Sequence, residues 1–261
     1  MLLARNDVRM DHPQAMSAAQ SRRDWEHIAC PVCAGNDFRH LFEKAGEPFV
    51  RCVACGLTLI NPRPPFARIR DQYDAAYSAG YTRKSVAKII RARKRVARIG
   101  RVGGRWLDVG CSAGFVVQAA TEAGFEAWGV DIEADGIGYG RDTLGLARLA
   151  CGVLEDQHYP DRHFDVISAY DVIEHVPDLN RFVAELARLL AAQGVLEIGT
   201  PDIGHWRVPR VLAQWNELKP SEHLYYFNRQ TLGRLLARHG LRIVRKRLAL
   251  KPGLKVLIAH A

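Results

Sequence analysis

The sequence predicts an α/β fold with a doubly wound, largely parallel sheet, preceded by a small cysteine-rich module. Short apolar strands alternate with helical segments through the second half of the chain, as in parallel sheets with helices on both faces. The first half instead carries two C-x-x-C pairs within a segment too short to bury a core of its own. These two observations separate the chain into a metal-stabilised module and a larger domain.

The four N-terminal cysteines have the spacing of a zinc site, C-x₂-C-x₁₈-C-x₂-C, formed by Cys30, Cys33, Cys52 and Cys55. Each C-x-x-C aims two sulfurs at one point, and Gly35 and Gly56 would supply permissive backbone. Apolar alternation at 38–42 and 48–50 predicts the short strands of a zinc ribbon over 28–61. We therefore expect structural zinc. Recognition of nucleic acid or another macromolecule is the alternative role, and the balanced charge of the ribbon gives it little support.

The remaining segments follow from composition. We interpret residues 1–27 as an N-terminal extension that is either loosely attached or disordered, and 62–104 as a basic helical linker or lid after the stiff Asn61-Pro-Arg-Pro-Pro turn. Residues 105–261 form the main domain, with a segment at about 202–228 that covers the substrate. The other two cysteines, Cys111 and Cys151, are interpreted as small buried residues.

Charge is distributed unevenly along the 261 residues, which carry 37 Lys+Arg against 28 Asp+Glu, for a net charge of +9. Residues 82–105 hold 10 basic and no acidic side chains, 106–202 hold 5 and 17, and 203–261 hold 12 and 2. Basic flanks around an acidic middle favour either solvated helix faces or an anionic partner. Apolar runs stay shorter than the roughly 18 residues of a membrane span, and the N-terminus lacks a signal pattern. A cytoplasmic protein is expected.

A glycine turn opens the main domain. Strand 105–109 leads into Gly110-Cys-Ser-Ala-Gly114 and a helix over 115–123, which places backbone N–H groups at the carboxyl edge of the sheet. The second strand ends at Asp131, 21 residues after Gly110, where a carboxylate can accept from both ribose hydroxyls. The turn lacks the full P-loop and dinucleotide patterns, which disfavours ATP and NAD.

Further strands are predicted at 164–169 and 194–199, followed by a helix over 230–239 and an antiparallel pair at 241–248 and 255–259. Another glycine cluster, Gly136-Ile-Gly-Tyr-Gly140, follows Asp131 inside a predicted helix. We interpret it as unrelated to the cofactor and as loosening that helix, since glycine costs about 1 kcal/mol there.

The ordered motifs resemble those of class I S-adenosylmethionine-dependent methyltransferases with an N-terminal zinc ribbon, a bacterial type whose substrates are often sugars and other small metabolites. The resemblance covers residues 104–201 and implies a Rossmann-like methyltransferase sheet. It rests on Leu107-Asp-Val-Gly-Cys-Ser-Ala-Gly-Phe115, Gly129-Val-Asp-Ile132, Phe164-Asp-Val-Ile167, Asp171-Val-Ile-Glu-His-Val176 and Glu222-His-Leu-Tyr-Tyr-Phe227.

The resemblance implies S-adenosylmethionine as cofactor and binding roles for Asp108, Gly110, Ser112, Gly114, Asp131, Ile132, Leu154, Glu155 and Asp171. Asp108 would lie near the ammonium group, Asp131 would bind the ribose, and Leu154 with Glu155 would meet adenine. Val153 stands where many relatives have Asp, which is why Glu155 is favoured. Ser112 replaces the usual middle glycine, and Ala192-Gln-Gly194 replaces a usual Pro-Gly-Gly.

Two histidines are the candidate catalytic residues, His175 beside the methyl group and His223 in the covering segment. His223 is the candidate general base for a hydroxyl acceptor, because imidazole titrates near neutral pH. The alternative is that His223 ties down the covering segment, and His175 orders adjacent backbone.

Three functions remain open at this point. The first is a small-molecule O-methyltransferase acting on a sugar, nucleotide-sugar or natural-product hydroxyl, with an acceptor that the basic flanks suggest is anionic. The second is an RNA base methyltransferase, favoured by the basic flanks but lacking an Asn-Pro-Pro-Tyr signature after the 164–169 strand. The third is a non-catalytic cofactor-binding scaffold. The oligomeric state is not predicted.

Overall fold

The computed structural model describes residues 24–65 and 85–261, so interpretations of residues 1–23 and 66–84 lie outside the described residues. The strands are β1 (Phe38–Lys44), β2 (Glu47–Cys52), β3 (Thr58–Ile60), β4 (Arg105–Val109), β5 (Glu126–Asp131), β6 (Leu149–Cys151), β7 (Phe164–Tyr170), β8 (Leu190–Pro201), β9 (Tyr225–Tyr226), β10 (Leu241–Lys246) and β11 (Gly253–His260). The helices are α1 (Ser85–Ile99), α2 (Phe115–Glu122), α3 (Ala134–Asp142), α4 (Leu179–Leu189) and α5 (Arg229–Ala237).

The larger sheet has seven strands in the order β10-β11-β8-β7-β4-β5-β6. Strands β4 to β8 pair in parallel, while β11 runs antiparallel to β8 and β10 antiparallel to β11. The predicted doubly wound sheet with an antiparallel C-terminal pair is therefore confirmed. The sequence did not reveal β6, because its three residues are too few to show a periodic pattern.

Helices cover both faces of this sheet. On one face, α1 to α3 share a core with Trp106 and Val166. On the other face, α4 and α5 bury leucines against β8 and β11. Asp178 caps α4 by accepting from the Arg181 amide, and Asn228 with Thr231 forms a capping box that begins α5. None of the helices in the described ranges is long and apolar enough to cross a membrane.

The N-terminal module forms a four-stranded sheet in the order β1-β2-β3-β9, all antiparallel. Its last strand comes from far along the chain, since Thr58 pairs with Tyr226 and Leu59 with Tyr225. Its apolar side belongs to the same core as α4 and α5. The ribbon is thus completed by the covering segment and packs as one body with the larger domain.

The basic helix α1 is partly engaged rather than fully solvated. Arg93 makes a bidentate ion pair with Glu122 of α2, with N–O distances of 2.7 and 3.1 Å. The Arg95 guanidinium lies 3.9 Å from the centroid of the Tyr170 ring. These contacts dock α1 on the sheet and on α2.

Candidate active site

The glycine turn after β4 is held in a conformation that only glycine tolerates. Gly110 has φ +71°, and a Cβ there would lie 2.2 Å from Val172 Cγ2. Gly114 has φ +82° and caps α2 without a side-chain hydrogen bond. The turn therefore directs the N-terminus of α2 toward the carboxyl edge of the sheet, where the helix dipole favours an anionic or polar group.

The second glycine cluster has a different role from the one the sequence suggested. A Cβ on Gly140 would lie 2.7 Å from the Ala113 carbonyl oxygen, and one on Gly136 would lie 3.2 Å from Ser112 backbone. These two glycines let α3 pack directly against the glycine turn. The sequence analysis did not foresee this packing role, which depends on the close approach of two backbones and not on a pattern along the chain.

Asp131 lies at the carboxyl end of β5 and faces the same turn. Its Oδ2 accepts from the Ser112 amide at 2.7 Å, and its Oδ1 accepts from the Glu133 amide at 2.9 Å. Burial raises the pKa of Asp131, and these amides oppose the rise. Each oxygen keeps a lone pair for a ligand hydroxyl. Ile132 beside it is 39% exposed, so the predicted ribose site is open to a ligand.

Asp108 is buried beneath the turn, with only 3% of its surface exposed. Its Oδ1 accepts from the Ser168 hydroxyl at 2.5 Å. The oxygen of the Ser168 hydroxyl accepts in turn from Trp106 Nε1 at 2.9 Å. Burial raises the pKa of Asp108 to about 7, although Ser168 and Arg95 oppose the rise. A positive charge brought close to this carboxyl would favour its ionised form.

The predicted adenine residues follow β6 at the same edge. Leu154 is buried and starts a single 3₁₀ turn, while Glu155 is partly exposed. Cys111 is buried as expected, but Cys151 is exposed. The interpretation of Cys151 as buried was wrong, because this last residue of a three-residue edge strand reaches the solvent at the sheet edge.

Asp171 follows β7 with φ +58°, a backbone conformation that residues other than glycine rarely adopt. Its amide donates to the Gly199 carbonyl at 2.7 Å, which turns the chain sharply at the strand end. The side chain is exposed. Strain of this kind concentrates at functional sites, and here it lies on the edge that carries Gly110 and Asp131.

The two candidate histidines lie together, although 48 residues separate them in the sequence. Their ring centroids are 4.6 Å apart, and the rings meet at 84°. The Nδ1 atom of His175 lies 2.7 Å from the Glu222 carbonyl oxygen, and that of His223 lies 2.9 Å from the Glu217 carbonyl oxygen. A carbonyl only accepts, so each Nδ1 donates and each neutral ring keeps a basic Nε2.

Burial keeps both imidazoles neutral at physiological pH. The pKa of His175 falls to about 4, and that of His223 falls to about 3, with further lowering by His175 and Lys219. Each histidine therefore accepts a proton only when a nearby group stabilises the imidazolium that results. His223 is 3% exposed, whereas His175 is partly exposed.

Glu174 joins this pair and was missed by the sequence analysis. One carboxylate oxygen of Glu174 and one nitrogen of each histidine lie within 4.8 Å of one another. Its Oε2 accepts from the Thr200 hydroxyl at 2.9 Å, while the buried Oε1 has no hydrogen-bond partner among the described residues. Burial and Asp171 raise the pKa of Glu174 to about 8. These three groups could share a proton, and they could also serve as ligands of a divalent cation.

The ribbon holds the segment that carries His223. The Ser221 amide donates to Glu47 Oε2 at 2.8 Å, and the Ser221 hydroxyl donates to the other oxygen. Buried Arg63 donates to the Tyr225 hydroxyl at 2.6 Å and to the Pro177 carbonyl at 3.1 Å. Both ends of this segment are therefore fixed by residues of the N-terminal module. These links join positions 114 to 174 residues apart, which sequence patterns do not reveal.

The variant Arg63→Met should destabilise the protein. It removes a buried guanidinium that bridges Tyr225 and the Pro177 loop, so we expect the free energy of unfolding to fall by about 2 to 3 kcal/mol. Urea unfolding followed by fluorescence measures this loss. Arg39→Met, on an exposed position of β1, is the matched control and should change stability by less than about 0.5 kcal/mol. Equal effects of the two substitutions would contradict the bridging role.

The four ribbon cysteines are placed as a tetrahedral site requires. Their sulfurs all lie within 4.8 Å of one another, and the Cys30–Cys55 and Cys33–Cys52 pairs are 3.4 Å apart. Zinc–sulfur bonds of about 2.3 Å place tetrahedral sulfurs about 3.8 Å apart, so the donor set fits Zn²⁺. Gly56 has φ +82° as expected, but in the first turn Ala34 and not Gly35 takes the left-handed conformation, with φ +59°. Gly35 instead leaves room for sulfur, since its Cβ would lie 3.4 Å from Cys33 Sγ.

Comparison with known proteins decides the family. Residues 81–246 match the family model described as a methyltransferase domain. This chain belongs to that family. It belongs to the class I S-adenosylmethionine-dependent methyltransferases, so the expected fold, family and enzyme class are confirmed.

Individual relatives agree with this assignment. The methyltransferase is 28% identical over 149 residues to a ubiquinone biosynthesis O-methyltransferase of Rhodopseudomonas palustris (strain TIE-1), covering 50% of this chain and 58% of the relative. It is 30% identical over 151 residues to a protein of the same name from Nitrobacter winogradskyi, covering 50% and 57%. This chain therefore spans less than two thirds of the length of these relatives.

Solved structures show the same fold. Magnesium protoporphyrin IX methyltransferase from Synechocystis PCC 6803, with bound S-adenosylhomocysteine, matches with a TM-score of 0.57 at 18% identity, over 76% of this chain and 100% of that one. A TehB-like methyltransferase from Corynebacterium glutamicum matches with a TM-score of 0.52 at 18% identity, over 72% and 100%. At this identity the likeness concerns the fold alone.

Proposed function

We propose that this methyltransferase methylates a hydroxyl group of a small molecule. The observation that carries the proposal is the pair of adjacent neutral histidines, in which each Nδ1 donates to a backbone carbonyl and Nε2 is therefore the basic atom of each ring. The names of the sequence relatives, which are O-methyltransferases of ubiquinone biosynthesis, support the same chemistry. The acceptor of this chain is not carried over from them.

The residues at the carboxyl edge fit the cofactor. We propose that Asp131 binds the ribose hydroxyls, that the turn from Gly110 to Gly114 surrounds the methionine part, and that Leu154 and Glu155 meet adenine. The glycine turn, the remaining lone pairs of Asp131 and the exposed Ile132 support this assignment. When bound, S-adenosylmethionine supplies a methyl group activated by a sulfonium charge.

The chain itself supplies positioning and proton transfer. Positioning an acceptor in line with the methyl group provides much of the rate enhancement in such a reaction. His223, with His175 beside it, would take the hydroxyl proton, and Glu174 lies close enough to share it. The covering segment over 202–228 would exclude water, because the ribbon holds its far end in place.

Substitution of His223 tests the base assignment. His223→Ala should lower kcat by about 10² to 10⁴-fold while the Kd for S-adenosylmethionine changes less than twofold. His223→Asn keeps a donor for the Glu217 carbonyl but cannot accept a proton, so it should be equally impaired. His40→Ala, on exposed β1, is the control. If the Asn variant recovers turnover while the Ala variant does not, His223 acts only as a tie for the covering segment.

Cofactor affinity should depend on pH through Asp108. Its pKa of about 7 leaves it about half protonated at neutral pH, and a nearby cation favours the carboxylate. Binding should therefore release protons, and the Kd for S-adenosylmethionine should fall about three- to tenfold between pH 6 and 8. Calorimetry in two buffers of different ionisation heat measures both effects. Asp108→Asn should abolish the dependence, and an affinity that is flat with pH in the unsubstituted protein counts against Asp108 as an ammonium neighbour.

We also propose that the four ribbon cysteines hold structural Zn²⁺. The converging sulfurs and the left-handed turns at Ala34 and Gly56 support it. Without a metal the four thiols would have no cation to stabilise their ionised forms, and burial, with hydrogen bonds to Cys52 and Cys33, raises the pKa of Cys55 to about 11. Bound zinc would stabilise the thiolates and fix the sheet that β9 completes.

A further inference from the structure

A strongly basic groove of about 860 Å³ lies between α1 and the β10–β11 hairpin. Its lining includes six cationic side chains, which are Arg98, Arg245, Lys246, Arg247, Lys251 and Lys255. No acidic residue lines it among the described parts of the chain. Such a surplus of one charge attracts a ligand of the opposite charge.

Only two of these cations are neutralised by partners. Lys246 Nζ lies 2.9 Å from Asp202, and Arg247 Nε lies 2.5 Å from Glu197. The other four, Arg98, Arg245, Lys251 and Lys255, make no ion pair within residues 24–65 and 85–261. Glu197 is in turn bound by the Tyr170 hydroxyl. The groove thus keeps four cations available for a ligand.

Electrostatic repulsion among the cations of the groove is clearest at Lys255, which is partly buried at the inner wall. Burial lowers the pKa of Lys255, and Arg95 and Arg98 lower it further, against opposing effects of Asp171 and Glu197. An anion bound between Lys255 and Arg98 would relieve this repulsion. Guanidinium groups also offer paired donors that match phosphate oxygens.

Strand pairing places the groove near Asp171 at the carboxyl edge of the sheet. Lys255 of β11 lies opposite Gly199 of β8, and the Gly199 carbonyl accepts from the Asp171 amide. Two strand spacings, about 10 Å, therefore separate Lys255 from Asp171. A Cβ at position 199 would lie 2.9 Å from the Tyr170 ring, so glycine is needed there to avoid a collision. A small acceptor can span this distance.

We propose that the groove binds a phosphate or diphosphate group of the acceptor, and that the acceptor hydroxyl then lies at the His175–His223 pair. This inference rests on the proposed function for the identity of the ligand. The phosphate can belong to a soluble metabolite or to a lipid headgroup, since Leu248 and Leu250 at the hairpin are 95% and 71% exposed. The shared chemistry is a phosphate held by Arg98, Arg245, Lys251 and Lys255.

Calorimetry with inorganic pyrophosphate tests the groove without methyl transfer. The double variant Arg245→Ala/Lys251→Ala should weaken pyrophosphate binding at least tenfold and leave the Kd for S-adenosylmethionine within twofold. Arg242→Ala, an exposed cation of β10 outside the groove, is the matched control and should have no effect. Equal weakening by the control, or no pyrophosphate binding by a protein that binds S-adenosylmethionine, would overturn the groove as a phosphate site.

Two further measurements separate the sources of the phosphate. Binding to phosphatidylcholine vesicles is measured with and without phosphatidylglycerol, to show whether the groove takes an anionic lipid headgroup. Displacement of the vesicles by pyrophosphate would support the groove as the site of phosphate binding. Binding of a short RNA that pyrophosphate does not displace and that falls steeply with salt would instead overturn the proposal in favour of nucleic acid. Loss of S-adenosylmethionine binding or an unimpaired His223→Ala protein would refute the proposed function and leave the pyrophosphate result standing.

Discussion

The Asp131→Ala protein is expected to fold and to bind S-adenosylmethionine at least 100-fold more weakly, a loss of about 2.7 kcal/mol of binding free energy. Asp131 accepts from the amides of Ser112 and Glu133 and so joins the glycine turn to the start of α3. The same carboxylate is the proposed acceptor for the ribose hydroxyls. Its removal takes away the ligand contacts and loosens the turn that surrounds the rest of the cofactor.

Calorimetry with S-adenosylmethionine measures this effect, and circular dichroism verifies the fold. Asp131→Asn keeps one acceptor oxygen and should lose less affinity, about tenfold. Glu155→Ala is the control at the opposite end of the site and should cost under tenfold, because Glu155 is partly exposed and contributes a single proposed contact. Affinity within threefold of the unsubstituted protein in Asp131→Ala would refute the ribose assignment.

Loss of zinc should lower both the turnover and the stability of the protein. Structural zinc in small modules contributes on the order of 10 kcal/mol of apparent binding free energy at neutral pH, which the ribbon cannot replace from its own core. Chelation, or Cys52→Ser, should therefore release β9 and the covering segment together with the ribbon. We expect turnover to fall more than 100-fold, and the melting temperature to fall by 10 °C or more.

Metal analysis, differential scanning calorimetry and kinetics on the same samples test this expectation. Because Asp131 and the glycine turn do not touch the ribbon, cofactor binding by calorimetry at low temperature should survive better than turnover. Cys151→Ser changes an exposed cysteine outside the ribbon and should leave zinc content and stability unchanged. A metal-free protein with full turnover would show that the ribbon does not position the covering segment.

The parts of the site that are local in sequence were predictable. Gly110, Gly114 and Asp131 depend on a strand, a turn and a helix that follow one another directly, so their spacing alone places them at one edge of the sheet. The four cysteines were predictable for a similar reason, since two tight turns need little else to converge. The interpretation of Cys151 was wrong because solvent exposure decided its surroundings, and the packing role of Gly136 and Gly140 was missed because it depends on the close approach of two backbones.

The sequence by itself determined the sheet, the glycine turn with Asp131 at its carboxyl edge and the two converging cysteine pairs, because short-range backbone geometry produces each of them. Only the tertiary structure decided how His175 meets Glu174 and His223, and how Glu47 of the ribbon and Arg63 of the linker hold the covering segment. It also decided how α1 and the last hairpin enclose a basic groove. These contacts join residues that lie far apart along the chain, apart from the adjacent Glu174 and His175. Their formation depends on the packing of the whole core, which no local pattern encodes.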